Sequence, residues 1–320
     1  MRLRPFAALS AVAMAALLLA GCGSADNAAP APTGSAAADL CSAAAKPGEA
    51  SDSVKVDGAA GTPSTATFST PLEPKDLQVT VLDEGDGPAV KAGEFVSYAM
   101  TAYNATDGKE LATIGYEPGQ FLPSQLSPDT VLGQVFGCGN VGKRVVATFP
   151  ASETAQAEVY VLDLLGTVPT AAWGEQQDAP AGFPTVTLAD DGAPKITIPQ
   201  GEEPPTETEV ATLKKGDGYT VQKGDYALIQ YTGVRWSNGE TFDSTWENGS
   251  PIAYPTTNYV QGFQKALEGQ TVGSQVLVVI PPAEGYGEGE INEADLKGET
   301  IVFVVDILGA QSATSGAATE

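Results

Sequence analysis

The feature that most constrains this chain is that it lines up with itself. Displaced by 131 positions, "GTPSTATF" (61–68) falls on "GAPKITIP" (192–199), and "VTVLDEGDG" (79–87) on "VATLKKGDG" (210–218). In the same register "GEFVSYAMT" (93–101) falls on "GDYALIQYT" (224–232), and "VGKRVVATFP" (141–150) on "VGSQVLVVIP" (272–281). Chance similarity does not hold one register over about 90 residues, so the chain carries two copies of one domain. The closing strands "YVLDLLG" (160–166) and "FVVDILG" (303–309) match at 143 instead, so the second copy carries 12 more residues before its last strand.

The copies are expected at 53–168 and 185–310, with a Pro- and Ala-bearing linker at 169–184. Residues 22–52, rich in Ala, Gly, Pro and Ser, read as a flexible tether, and 311–320 as a polar, disordered tail. Within the second copy "DYALIQYT" alternates, placing Ala227, Ile229 and Tyr231 on one face of a strand. Asn238-Gly239 signals a tight hairpin return. Asn258 is expected to cap a short helix with Val260, Phe263 and Leu267 on one face. "QVLVVIP" and "TIVFVVDIL" are β-branched strands. Several antiparallel strands around one short helix give an α+β domain, the helix laid across a curved sheet.

The first residues speak to location. Arg2 and Arg4 precede an apolar run, Phe6–Ala20, which suits an export-signal core and is too short to span a bilayer. It closes on "LAGC", which resembles the bacterial lipobox. That resemblance implies removal of residues 1–21 and lipidation of Cys22, giving an extracytoplasmic protein anchored to the bacterial cell membrane; the bland reading is an ordinary signal with an incidental cysteine. The mature chain would carry 14 basic against 40 acidic residues, a net charge of −26 once Arg2 and Arg4 are gone. Such a surface repels polyanions, so nucleic acid is excluded as a partner. Cys41 and Cys138 remain as an even pair; a disulfide and two free buried thiols are both open.

"QYTGVRWSNGETFDSTW", "VQGFQKALEGQTVGSQVLVVIPPAEGYG" and "TIVFVVDIL" resemble the FKBP-type peptidyl-prolyl cis-trans isomerases over Glu207–Gly309. The resemblance implies two tandem FKBP-like domains, each an antiparallel half-barrel sheet wrapped on one short helix. It implies an aromatic pocket for proline in the second copy. Tyr231, Asp243 and Tyr286 would be catalytic: a hydroxyl at the pocket edge, a carboxylate beside the twisting carbonyl carbon, and a hydroxyl holding the substrate carbonyl. Phe242, Phe263 and Phe303 would form wall, floor and rear wall. Val260 would offer its backbone amide, and Ile252 and Tyr259 would flank the rim. Departures from the family pattern are Phe263 where Trp is usual, Asn248 where a basic residue usually pairs with the aspartate, and an acidic loop over 288–299 in which Leu296 would serve as the lid.

Such chemistry needs no histidine, metal or cofactor, and this chain has no histidine. Asp190–Asp191 and Glu202–Glu203 read as solvated turns. An X–Pro amide resists rotation by about 18–20 kcal/mol because resonance stiffens the C–N bond. A dry aromatic cleft that binds the twisted, less dipolar amide better than the flat one lowers that barrier. In the first copy the same register puts Met100, Leu111, Ala112 and Leu132 where the second has Tyr231, Phe242, Asp243 and Phe263, and leaves Ala155 near the Tyr286 position. That copy therefore reads as a degenerate, non-catalytic domain. The expected partners are unfolded or partly folded exported polypeptides, and the membrane through the lipid anchor. The rival reading is a non-catalytic peptide-binding chaperone or envelope scaffold using the same groove.

Overall fold

A computed structural model describes residues 39–287 and 296–315. The expected export signal, Cys22, the tether up to residue 38, residues 288–295 of the acidic loop and residues 316–320 lie outside the described residues. The first half contains α1 (Leu40–Ala43), α2 (Glu49–Asp52), β1 (Lys55–Asp57), β2 (Thr65–Thr67), β3 (Gln78–Asp83), β4 (Phe95–Asn104), β5 (Glu110–Ile114), β6 (Ser124–Gln125), α3 (Val131–Phe136), β7 (Arg144–Phe149) and β8 (Glu158–Val168). After β9 (Glu175–Gln176) come β10 (Thr185–Leu188), β11 (Pro194–Thr197), β12 (Glu209–Lys215), β13 (Tyr226–Arg235) and β14 (Thr241–Ser244). The chain continues through α4 (Thr245–Asn248), β15 (Ile252–Pro255), α5 (Gln261–Leu267), β16 (Gln275–Ile280) and β17 (Ile301–Gln311).

Two antiparallel sheets share one strand order. The first runs β3-β7-β8-β4-β5 with β6 beside β4, and the second runs β12-β16-β17-β13-β14 with β15 beside β13. Their irregularities repeat as well. Bulges at Val81/Asp83, Ser97/Tyr98 and Ala102/Tyr103 recur 131 residues later at Thr212/Lys214, Leu228/Ile229 and Gly233/Val234.

Both faces of each sheet are covered, which is why the central strands are apolar throughout rather than alternating. In β16, Val276, Val278 and Ile280 pack inward with Phe263, Ala266 and Leu267 of α5. The intervening Leu277 and Val279 pack outward beneath Ile196 and Ile198 from the β10–β11 hairpin and its exit. The first copy repeats this: Val135 and Phe136 of α3 lie on one face, while Val56 of β1, Ala66 of β2 and Phe68 cover Val146, Val159 and Val161 on the other.

The segments expected as tether, linker and tail are tied to the sheets where they are described. In the stretch read as tether, Leu40 is buried in the first core, Cys41 is joined to Cys138 by a disulfide, and the Val79 N–H donates to Lys46 O along the β3 edge. The 169–184 linker is fixed to the second copy. Its β9 pairs with β12, Ala172 N donates to buried Asp306 at 2.9 Å, and Lys214 Nζ donates to Ala172 O at 2.8 Å. In the expected tail, Ser312 N donates to Gly119 O at 2.7 Å and Ala313 N to Asp225 Oδ1 at 3.0 Å. Composition misled here because small and polar residues still offer backbone N–H and C=O groups, and those are what the sheets take up.

The copies also pack on one another. Phe95 of β4 meets Leu228 of β13 and Leu308 of β17, with Leu122 and Ala253 at the margin. Pro123 rests on Gly309, where an added Cβ would fall 2.4 Å from the proline ring.

Candidate active site

The cleft of the second copy is built by a local fault in strand pairing. Gly233 pairs with Asp243 and Val234 with Thr241, so Phe242 is an extra residue at a bulge. In a regular strand Phe242 and Asp243 would point to opposite faces. The bulge turns both toward the same cavity. Gly233 makes room for this, since a Cβ there would lie 2.5 Å from the Phe303 ring and 2.8 Å from that of Phe242.

Eight of the nine residues expected at the cleft come together. Tyr231, Phe242, Asp243, Tyr259, Val260, Phe263, Tyr286 and Phe303 line one cavity of about 190 Å³, together with Asn258. Ile252 is the exception. It packs against the core from β15, opposite Ile229, and does not reach the cavity lining. Asn258, expected at the helix cap, does not cap α5. Instead a 3-10 turn runs over Thr256–Asn258, Val260 is the N-cap of α5 without a side-chain bond, and Asn258 faces the cavity. No periodicity or spacing distinguishes an asparagine of this kind in sequence. Leu296, expected as a lid, is a fully buried member of the core.

Phe303 is the hub of the aromatic lining. Its ring meets Tyr231, Phe242 and Phe263 edge-on, with centroids at 5.7, 5.4 and 5.0 Å. Tyr259 stacks on Phe263 at 4.7 Å, which extends the smaller Phe floor with a second ring. Edge-to-face packing of this kind fixes each ring by its neighbours and leaves a rigid hollow.

Two polar groups interrupt it. Tyr231 Oη donates to Asp243 Oδ2 at 2.5 Å. Burial, and secondarily the adjacent Asp243 carboxylate, pushes the Tyr231 phenol far above its ordinary value, so it remains a donor. The Tyr286 phenol is also raised, by burial first and by the Asp243 charge second, and its side chain stays 39% exposed at the rim. The Val260 N–H at the foot of the cavity has no hydrogen-bond acceptor among the described residues. The arrangement therefore offers an apolar socket, one fixed carboxylate, a rim hydroxyl and an unused backbone donor. It contains no free nucleophile and no poised base.

A socket of this composition can hold a small apolar group by shape and electrostatics. The family signature described as FKBP-type peptidyl-prolyl cis-trans isomerase matches residues 218–308, which contain every cavity residue. The chain is 32% identical over 117 residues to the "Probable FK506-binding protein" of Corynebacterium glutamicum, covering 37% of this chain and 98% of that one. It is 30% identical over 118 residues to the FK506-binding protein of Streptomyces anulatus, covering 36% of this chain and 94% of that one. Among solved structures, FkpA from Escherichia coli aligns over 42% of this chain and 54% of its own, at 20% identity and a TM-score of 0.32. The chain belongs to the FKBP-type peptidyl-prolyl cis-trans isomerase family.

Proposed function

We propose that the second copy isomerises X–Pro bonds in exported polypeptides by holding the twisted amide in the Tyr231–Phe303 cavity, and so acts as a folding catalyst. The observation that supports this is the convergence of one carboxylate and seven aromatic or aliphatic walls, drawn from separate elements, on a hollow of about 190 Å³ that has room for a prolyl ring. Phe242, Phe263 and Phe303 exclude water from the ring. Val260 N–H and the Tyr286 hydroxyl hold carbonyls on either side of it. Asp243, kept in place by Tyr231, faces the carbonyl carbon as its conjugation with nitrogen is lost. Uncatalysed, this isomerisation takes tens of seconds at 25 °C, long enough to limit folding.

The first copy belongs to the same tandem arrangement without the catalytic set. Met100, Ala112 and Leu132 stand in place of the hydroxyl, carboxylate and floor. The Cys41–Cys138 disulfide supports an oxidising compartment. Together with the Cys22 lipobox it fits a protein anchored on the outer side of the cell membrane.

The test is proline-isomerisation turnover of the full chain, wild type beside Asp243→Ala. Turnover should fall by at least about tenfold in the variant, while affinity for a proline peptide changes far less, because the carboxylate acts mainly on the twisted state. A wild-type protein that leaves isomer exchange at its spontaneous rate would sink the reading.

A further inference from the structure

The first copy is not simply a worn version of the second. Where the second has its compact aromatic socket, the first has a wider apolar groove of about 430 Å³, against about 190 Å³. Corresponding positions line both: Met100 for Tyr231, Leu132 for Phe263, Tyr160 for Phe303. The groove is wider for two visible reasons. Aliphatic side chains replace rings, and the long segment that carries Tyr286 is cut down to a short turn at Ala155.

We propose that this groove binds an extended polypeptide segment through a bulky apolar side chain with lysine or arginine beside it, independently of proline and without isomerising it. The apolar half of the claim rests on the walls. Met100, Leu132, Val135, Phe149 and Leu162 make a lining much too large for a prolyl ring and suited to leucine or phenylalanine. Val131, on the same lining, is left 54% exposed.

The charged half rests on Glu158. It is the one acidic or basic side chain on the lining, and one of its oxygens accepts the Tyr160 hydroxyl. Burial first, and Glu158 second, raises the Tyr160 phenol, so the hydroxyl stays a donor to Glu158. Exposed Asp129 and Glu153 stand on the two segments that flank the groove, so a cation beside the apolar anchor is favoured there. The groove is not expected to isomerise what it binds, because the carboxylate position is Ala112 and the hydroxyl position is Met100.

The inference goes beyond the isomerase reading, which concerns the second cleft alone. It is tested on the full, oxidised chain by fluorescence anisotropy with a labelled, proline-free peptide carrying a Leu-Phe core between lysines. Wild type should bind. Val131→Lys, at an exposed site that tolerates a polar residue, should weaken binding by at least about tenfold, as expected for obstructing an anchor side chain. Glu158→Gln should weaken it by about threefold at low ionic strength, and the difference should vanish in concentrated salt. Both variants should turn over a short proline substrate at the wild-type rate. Failure of wild type to bind, unchanged affinity in both variants, or displacement of the probe by a saturating proline peptide would each overturn the proposal. Binding without any turnover would overturn the isomerase reading and leave this one standing.

Discussion

Asp243 is only half-buried, yet it stands among rings with one hydroxyl partner at 2.5 Å. Tyr231→Phe keeps the ring and deletes that partner, leaving a carboxylate short of a hydrogen bond, a loss of about 1–3 kcal/mol. Turnover should fall several-fold and the unfolding midpoint should drop, both measured on the same preparation. The Tyr231 phenol is raised, so in the folded protein it stays protonated above the ordinary tyrosine range. The sign follows: the stability it contributes is complete below about pH 10, where a free tyrosine begins to ionise, and is lost as pH rises beyond that. A pH–rate profile should therefore show no loss attributable to this hydroxyl between pH 6 and about pH 9. At this scale most of the site was legible, because Tyr231, Phe242, Asp243 and Phe303 sit in motifs whose order is distinctive. Ile252 was misplaced because a hydrophobic residue near a rim and one packed behind it look alike in sequence. Asn258 was missed because its role depends on a 3-10 turn that no pattern announces.

Among the elements, β-branched runs announced the strands, and the repeat announced their order twice. What the pattern did not carry is the bulge at Phe242. A period-two reading necessarily puts Phe242 and Asp243 on opposite faces, yet both line the candidate cleft. The device is tight: Gly233→Ala would drive a methyl into the Phe303 and Phe242 rings. That change should destabilise the protein by about 1–3 kcal/mol, as overpacking does, and lower turnover beyond what unfolding explains. Denaturant unfolding beside an activity assay under native conditions separates the two effects. The first copy has the same bulge at Leu111, so the backbone geometry predates or outlasts the chemistry it serves.

On the scale of the molecule, a buried carboxylate sits at the same place in both sheets but is satisfied differently. Asp163 takes Arg144 through two bonds of 2.7 and 2.6 Å. Its counterpart Asp306 has Gln275 Nε2 at 2.7 Å and the Ala172 N–H at 2.9 Å, and burial raises its pKa. A raised carboxyl is most favourable to folding below the ordinary aspartate range, and its contribution shrinks as pH climbs through the raised value. Asp306→Asn should remove that decline, gaining on wild type more at pH 7 than at pH 4 in denaturant titrations. The Cys41–Cys138 bridge spans 97 residues of the first copy. Cys41→Ser with Cys138→Ser should lose about 2–5 kcal/mol there while proline turnover in the second copy persists. The internal repeat in the sequence has its counterpart in the repeated strand order; it could not foretell that parts of tether, linker and tail would be drafted into the sheets, since their contribution is mostly backbone.

The short β9 pairs with Lys214 and Lys215 of β12, and Lys46 O takes the Val79 N–H of β3, so each of these outer strands has part of its open flank occupied. An uncovered strand flank is a template on which any extended chain can add itself. By occupying part of those flanks with its own connecting chain, this protein leaves fewer bare rungs for such growth.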